Sequence, residues 1–283
     1  MIPSAFDYVK PASVADAVTA LRGGGEDATI LAGGQSLLPV LRLRLAAPSL
    51  LVDLGGIPEL RGVREDGDRI AIGAMTSYHD IVGDDLVRQH VALLAQATQT
   101  VADGQVRHLG TLGGSLAHAD PAGDLGAVAL ALDAELVIAG ASGSRTVTAA
   151  EFFVDYFTTA IGEGEILTEI RFPRYTGWGS HYEKFNRTAQ AWSMVAVAAA
   201  IAVEGGTVAA ARVGLTNMGT TPIRATGVEQ ALIGRPATPE AVRAAAEHAT
   251  EGTAAPSDAD AARDYREHLA RVLTGRAVLA AAG

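Results

Sequence analysis

The chain has 283 residues, 48% of them hydrophobic and 19% charged, and it contains no cysteine. This is a globular composition, long enough for two or three small cores. The net charge of −10 argues against a nucleic-acid partner, and the lack of cysteine excludes disulfides, thiol nucleophiles and a conventional iron–sulfur cluster held by this chain. The longest apolar run has about ten residues against the roughly twenty of a membrane span, and no secretion signal is visible. We therefore expect a cytoplasmic protein without a membrane span.

The first third of the chain reads as alternating helices and strands. Ser13 precedes apolar residues at helical spacing, which predicts a helix that Ser13 caps and that ends at glycines 23–25. Apolar runs at 29–31 and 50–54 predict two strands of a small β-α-β-like unit. Alternation over 60–74 around a turn at 65–68 predicts a hairpin. Helices are expected at 77–82 and 86–100.

The rest of the chain changes character near residue 175. Before it we expect a buried helix at 125–132, a hairpin of 135–139 with 145–148, a helical turn at 149–152 and a strand at 166–172. After it come strands at 180–187, 194–203 and 208–215, and helices at 225–233, 239–249 and 259–273, with a frayed end at 277–283. Strands grouped before helices indicate a separate α+β unit.

Two glycine turns, remote in sequence, carry the most distinctive chemistry. Residues 31–39 read L-A-G-G-Q-S-L-L-P and follow a predicted strand, and residues 110–115 read G-T-L-G-G-S. Paired glycines let a backbone approach a ligand, and consecutive N–H groups at such a turn form a concave anion site. A helix starting at Ser36 would add its positive end. Two such turns suit a ligand with two phosphates.

Other familiar constellations are absent from the sequence. No G-x-G-x-x-G follows a strand, and neither G-x-x-x-x-G-K-[ST] nor G-x-S-x-G occurs. His118, Asp120 and Asp124 form the only cluster that resembles a metal site. A turn with capping carboxylates explains that cluster more simply, so we predict no metal.

Three motifs together resemble one known family. A-G-G-Q-S-L-L-P at 32–39, T-L-G-G-S at 111–115 and A-D-P-A-G-D-L at 119–125 are similar, in order and spacing, to the FAD-binding medium subunit of the molybdenum hydroxylases. This is the family of xanthine dehydrogenase and aerobic carbon monoxide dehydrogenase. The resemblance covers essentially the whole chain, including the helix that begins R-D-Y-R at 263–266.

The resemblance implies an α+β fold in two domains. Residues 1–175 would form a two-part FAD-binding domain of the PCMH type with mixed sheets, made of subdomains at about 1–56 and 57–175. Residues 176–283 would form a C-terminal flavoprotein domain, a three-stranded antiparallel sheet with three helices.

The resemblance also implies that both turns cradle the pyrophosphate of non-covalent FAD, with backbone N–H groups and the Ser36 and Thr111 hydroxyls donating. Gln35 stands where relatives often have a histidine, so it cannot attach the flavin covalently, and Ser115 stands where many have asparagine or aspartate. The cradle residues are Leu31, Ala32, Gly33, Gly34, Gln35, Ser36, Leu37, Thr111, Gly113, Gly114 and Ser115.

Five further positions match the family, each with a simpler structural alternative. Asp124 would accept hydrogen bonds from ribityl or ribose hydroxyls, or it would cap the following helix. Ile166 and Leu167 would form an apolar lid on the ring system, or plain strand core. Lys184 would lie near the flavin as a cation, or be a solvated strand lysine. Trp192 falls where carbon monoxide dehydrogenase-like subunits carry a tyrosine against the isoalloxazine, or it is a core tryptophan.

The function implied is electron transfer, with no catalytic residue in this chain. FAD would pass electrons from [2Fe–2S] clusters of a small partner subunit to an external acceptor, while a molybdopterin-binding large subunit oxidises the substrate. The whole would form a dimer of heterotrimers. A stand-alone FAD oxidoreductase of the same fold and a flavin-free scaffold or assembly protein are the alternatives. The substrate (carbon monoxide, purine, aldehyde or N-heterocycle) and the acceptor (quinone, dioxygen or NAD) stay open.

Overall fold

The first sheet of the protein is small and parallel. The computed structural model describes residues 2–283. Its first three strands pair in the order β1-β3-β2, and α1 and α2 lie on the connections between them. The elements are β1 (Asp7–Val9), α1 (Val14–Gly24), β2 (Ala28–Leu31), α2 (Leu37–Arg42) and β3 (Leu50–Asp53). The predicted helix and both strands are confirmed, and Ser13 caps α1 by accepting from the Asp16 N–H. Strand β1 was not predicted, because its three exposed residues show no apolar alternation.

A five-stranded antiparallel sheet follows, in the order β4-β5-β10-β6-β7. Both predicted hairpins, the helical turn and the strand that ends at Pro173 are confirmed. The elements are β4 (Val63–Asp66), β5 (Arg69–Gly73), α3 (Tyr78–Gly83), α4 (Asp85–His90), α5 (Ala92–Gln99), α6 (Gly104–Leu109), α7 (Leu112–His118), α8 (Asp124–Ala131), β6 (Glu135–Gly140), β7 (Gly143–Thr148), α9 (Ala149–Phe152), β8 (Phe153–Asp155), β9 (Thr158–Thr159) and β10 (Ile166–Pro173).

The single helix expected at 86–100 is wrong. Helices α4 and α5 are separated at Val91, which has φ −138° and ψ 42° and is fully buried. The helical spacing of apolar residues continues through residue 91, but the backbone leaves the helical conformation there as the Val91 side chain is buried. A further helix, α6, then lies between α5 and the second glycine turn, and Asp103 caps it by accepting from the Val106 N–H.

The C-terminal sheet is antiparallel with four strands in the order β11-β12-β13-β14, so the expected three strands are wrong. The fourth strand has two residues and pairs with Gly214 and Leu215, too short to show alternation. The three predicted helices are confirmed. The elements are β11 (Gly179–Phe185), β12 (Val195–Glu204), β13 (Thr207–Thr216), β14 (Ile223–Arg224), α10 (Thr226–Leu232), α11 (Pro239–Ala246) and α12 (Arg263–Ala282).

The last helix is longer than the sequence suggested. The frayed end expected at 277–283 is wrong, because α12 continues to Ala282 and buries Ala277, Val278 and Ala281 in the C-terminal core. These side chains are short, so a sequence of alanines that reads as a weak tail packs closely against β11 and β12.

Helices α5 and α8 join the C-terminal sheet to the rest of the molecule. Helix α8 packs against β12 and β13, and α5 packs against β11. The sheet's opposite side carries α12, which packs against β11 and β12. The end of β11 and the loop before β12 therefore lie beside the first turn of α8. Within residues 2–283, no helix combines the length and apolarity that crossing a membrane requires.

Candidate functional site

A cavity of about 810 Å³ opens where the three larger sheets and the helices around them meet. Both glycine turns, the start of α8, the start of β10, Lys184 of β11 and the loop at 190–192 form its walls. Of the predicted cofactor residues only Leu31 is outside the lining. It ends β2, and its side chain packs behind Gly34. One cavity therefore gathers the sequence-predicted residues.

The two glycine turns are in direct contact. A Cβ added to Gly33 would lie 2.8 Å from the Gly110 Cα, and one added to Gly114 would lie 3.3 Å from the Ala32 Cβ. The chain can approach itself this closely because these positions lack side chains. The turns thus form one continuous wall of backbone.

The first turn offers unpaired donors. None of the four consecutive N–H groups of residues 33–36 donates a hydrogen bond to any acceptor in the described chain, residues 2–283. Gly34 has φ +73°, and the Gln35 side-chain amide donates to the Gly33 carbonyl at 2.8 Å, which folds it onto its own turn. Ser36 precedes α2 without a side-chain capping bond, so its hydroxyl is free to donate. The turn therefore presents hydrogen-bond donors and no negatively charged group to the cavity.

The second turn differs: the expectation that its backbone N–H groups donate to a ligand is wrong for residues 112–115, whose N–H groups have acceptors within the protein. Leu112 and Gly113 donate to the Thr76 and Ala74 carbonyls at 3.2 and 2.8 Å. The Gly114 N–H donates to the Thr111 Oγ1 at 3.2 Å, and Ser115 donates to the Thr111 carbonyl. Because Thr111 Oγ1 accepts as the helix cap, its proton remains available. The second turn therefore contributes hydroxyl groups and close approach, and within residues 2–283 only its Thr111 N–H lacks a protein acceptor.

Asp124 anchors a second part of the cavity lining. Gly123 is the N-cap of α8 and Asp124 makes no capping bond, so the capping interpretation is wrong. Its carboxylate instead accepts from Lys184 Nζ at Oδ2, and from Tyr182 Oη and Ser193 Oγ at Oδ1, each at 2.7 Å. The carboxylate is buried, and both of its oxygens accept from protein donors, while acceptance from ribityl or ribose hydroxyls stays a prediction.

Lys184 is not a solvated strand lysine. Its side chain is 8% exposed and that of Asp124 is 4% exposed. A weaker contact of 3.4 Å joins its ammonium to the Thr100 carbonyl. Burial, followed by the negative charge of Asp124, raises the pKa of Tyr182 well above its usual value, so the phenol stays protonated and donates.

For Ile166 and Leu167 the sequence left two interpretations open, an apolar lid on the ring system and plain strand core. Both line the cavity, and both are buried in hydrophobic cores at the start of β10, so the strand-core interpretation is confirmed. Contact of these side chains with a ring system stays a prediction. Trp192 is 57% exposed at the cavity edge, so the core interpretation of this residue is wrong.

Sequence reasoning missed three side chains around the cavity. Tyr182 and Ser193 lie behind the lining and reach Asp124, and Tyr78 lines the cavity with its ring against Gly110. Burial raises the pKa of Tyr78 to about 12. The sequence did hold a signal for Tyr182: residues 182 and 184 lie on the same face of a strand, and Lys184 was already a predicted site residue.

Asp120 behaves as the capping carboxylate that the sequence favoured. Its Oδ1 accepts from the Ala122 N–H at 2.9 Å, and burial raises its pKa. The described residues 2–283 contain no group of three or more His, Asp or Glu side chains arranged to hold a metal ion.

Family models cover the chain almost end to end. Residues 4–175 match the FAD binding domain in molybdopterin dehydrogenase, and residues 180–281 match the CO dehydrogenase flavoprotein C-terminal domain. The chain belongs to the FAD-binding medium subunits of the molybdenum hydroxylases. It is thus related to subunits of oxidoreductase complexes of the carbon monoxide dehydrogenase and xanthine dehydrogenase type.

Full-length relatives of this family include the carbon monoxide dehydrogenase medium chain of Hydrogenophaga pseudoflava, 41% identical over 99% of this chain and 98% of that one. The glyceraldehyde dehydrogenase medium chain of Sulfolobus acidocaldarius is 37% identical, with 98% of each chain covered. The structure of reconstituted CO dehydrogenase from Oligotropha carboxidovorans matches with a TM-score of 0.97 at 40% identity, covering 100% of this chain and 99% of that one.

Proposed function

We propose that this chain holds FAD non-covalently in the cavity and serves as the electron-transfer subunit of a heterotrimeric molybdenum hydroxylase. In that role it would take electrons from [2Fe–2S] clusters on a small subunit and deliver them to an external acceptor. Substrate oxidation would occur on a molybdopterin-binding large subunit. We propose further that the complex is a dimer of such trimers.

The observation that carries this proposal is the wall formed by the two glycine turns. A pyrophosphate presents anionic oxygens, and four unpaired N–H groups at residues 33–36 with the nearby Ser36 and Thr111 hydroxyls suit it. No acidic side chain lies within either turn. The residues present therefore fit the diphosphate part of FAD.

The remaining lining residues suit the rest of the cofactor. We assign Ile166 and Leu167 to apolar contact with its ring systems, and Trp192 to an aromatic plate at the edge of the flavin. Asp124 and Lys184 face the cavity as a buried ion pair, in which a cation favours the negative charge that reduction adds to a flavin. Bound FAD supplies redox chemistry, and the protein supplies position, electrostatics and an open edge.

The domain division follows the same proposal. Residues 1–175, in subdomains of about 1–56 and 57–175, would hold most of the cofactor, and residues 176–283 would close the cavity with Lys184 and Trp192. With no cysteine in the chain, conventional clusters would have to be held by a partner.

Substrate choice would belong to the large subunit. Relatives that are subunits of dehydrogenases named for carbon monoxide, glyceraldehyde and caffeine are 41%, 37% and 35% identical to this chain. Similar subunits thus serve complexes named for unrelated substrates.

Purification of the chain, alone and co-expressed with its neighbouring genes, tests the proposal. We expect a yellow protein that releases FAD in acid and co-purifies with a molybdopterin subunit and a cysteine-rich one.

Gly114→Val should remove FAD, because its side chain would push on Thr111 Oγ1 and Ala32. Full flavin occupancy in that variant would contradict the site, and turnover by the chain alone would favour a stand-alone enzyme. A protein colourless in both preparations would favour a flavin-free scaffold.

A further inference from the structure

The carboxylate of Asp124 is held by more donors than an ion pair needs. Lys184 occupies Oδ2, while the Tyr182 and Ser193 hydroxyls both donate to Oδ1, and all three distances are 2.7 Å. Ser193 is in turn fixed by Asn217, whose side-chain amide donates to the Ser193 carbonyl at 2.8 Å. The acceptor comes from α8, and all three donors come from β11 and the loop before β12.

The four side chains, Asp124, Lys184, Tyr182 and Ser193, lie at two different depths behind the cavity surface. Asp124 and Lys184 line the cavity, whereas Tyr182 and Ser193 lie behind them and are 6% and 1% exposed. The two hydroxyls therefore reach the cavity only through the carboxylate. They partly compensate its charge and leave Oδ2 to orient the lysine ammonium.

We propose that Tyr182 and Ser193 are positioning residues that set the reduction potential of the bound flavin through Asp124 and Lys184. This inference rests on the proposed function, since it requires FAD in the cavity. Neither Tyr182 nor Ser193 lines the cavity, so their effect on a bound flavin would be electrostatic.

The direction of the effect follows from charge. Without the two hydroxyls the negative charge of Asp124 is less compensated, so the cavity becomes more negative and reduction of the flavin becomes less favourable. Without the carboxylate the cation of Lys184 is left alone, and reduction becomes more favourable. Tyr182→Phe with Ser193→Ala should therefore lower the flavin potential, and Asp124→Asn should raise it.

The test is a dye-mediated reductive titration of the holoenzyme, with FAD content determined after acid release. For the double variant we expect the ratio of reduced to oxidised flavin at a fixed potential to fall about three- to tenfold, where tenfold is about 30 mV for a two-electron couple. The matched control is Tyr175→Phe with Ser13→Ala. It removes hydroxyls that donate to Asp133 and Asp16 away from the cavity, at 3.1 and 2.7 Å. The control should leave the potential unchanged.

Three results separate the possibilities. Wild-type protein that carries no flavin overturns the proposed function itself. If the wild type and the double variant both carry flavin and have the same flavin potential, this inference is overturned and the proposed function stands. The same holds if the double variant and Asp124→Asn shift the flavin potential in the same direction. If the double variant does not fold, Tyr182→Phe and Ser193→Ala are titrated singly, and each should show a smaller decrease.

Discussion

The two walls of the cavity are built by opposite means. The glycine wall, residues 33–36 with 110–115, presents backbone donors and hydroxyls, and its contacts exist because side chains are missing. The charged wall, centred on Asp124 and Lys184, exists only through side chains that are brought together from α8, β11 and the loop after it. The comparison teaches that the glycine positions of the first wall are damaged by adding atoms, and the side chains of the second wall by removing them.

Asp124→Ala should have the largest effect on stability. It leaves the Lys184 ammonium buried without its partner, which costs roughly 3–5 kcal/mol of the free energy of unfolding. Urea denaturation of the variant measures this loss. The control Asp85→Ala breaks an exposed pair with Arg88 and should cost about 0–1 kcal/mol. Equal losses in the two variants would mean that the charged wall is no different from the surface.

Gly33→Ala tests the glycine wall by adding one methyl group. The new Cβ would press on the backbone at Leu109 and Gly110, so we expect a loss of about 1–3 kcal/mol together with weaker FAD retention. The matched control is Gly23→Ala in α1, where a Cβ meets open space and should stabilise the protein by about 0.5–1 kcal/mol. Retention of FAD at the wild-type level in Gly33→Ala would show that the two turns tolerate separation.

Thr111→Ala tests the side-chain hydroxyl of the glycine wall, in contrast to its glycine positions. It removes the acceptor for the Gly114 N–H and a hydroxyl donor at once, which should cost about 1 kcal/mol of stability and weaken FAD binding. Thr111→Ser keeps the hydroxyl and should recover both properties. Calorimetry of the apoprotein and FAD titration separate the two effects, and a serine variant as weak as the alanine variant would argue that the methyl group matters instead.

Trp192→Ala should have the smallest effect on folding. The side chain is 57% exposed, so the free energy of unfolding should change by no more than about 0.5 kcal/mol, and FAD retention should be largely intact. We expect a shifted flavin potential or slower reoxidation, measured by redox titration and stopped-flow absorbance. If flavin spectra and kinetics are the same as in the wild type, Trp192 is not a flavin neighbour.

Local patterns in the sequence determined most helices and strands of this protein, and they also revealed the two glycine motifs that form the glycine wall. Helix α1 with its Ser13 cap, the hairpins and the long strands of the C-terminal sheet all follow from periodicity and turn residues, because these signals act between near neighbours. The glycine pairs were equally visible, since a backbone that must approach a ligand or another backbone needs residues without side chains.

Only the tertiary structure decided how those parts are used. The break at Val91 and the continuation of α12 through Ala277 depend on burial against distant elements, which no local pattern records. Acceptors at Ala74, Thr76 and Thr111 occupy the N–H groups of residues 112–115 in the second turn. Asp124 does not cap α8, because Tyr182 and Ser193 lie where their hydroxyls donate to its carboxylate. Hydrogen-bond partners and burial are properties of residues far apart in sequence, so they emerge only when the chain is folded.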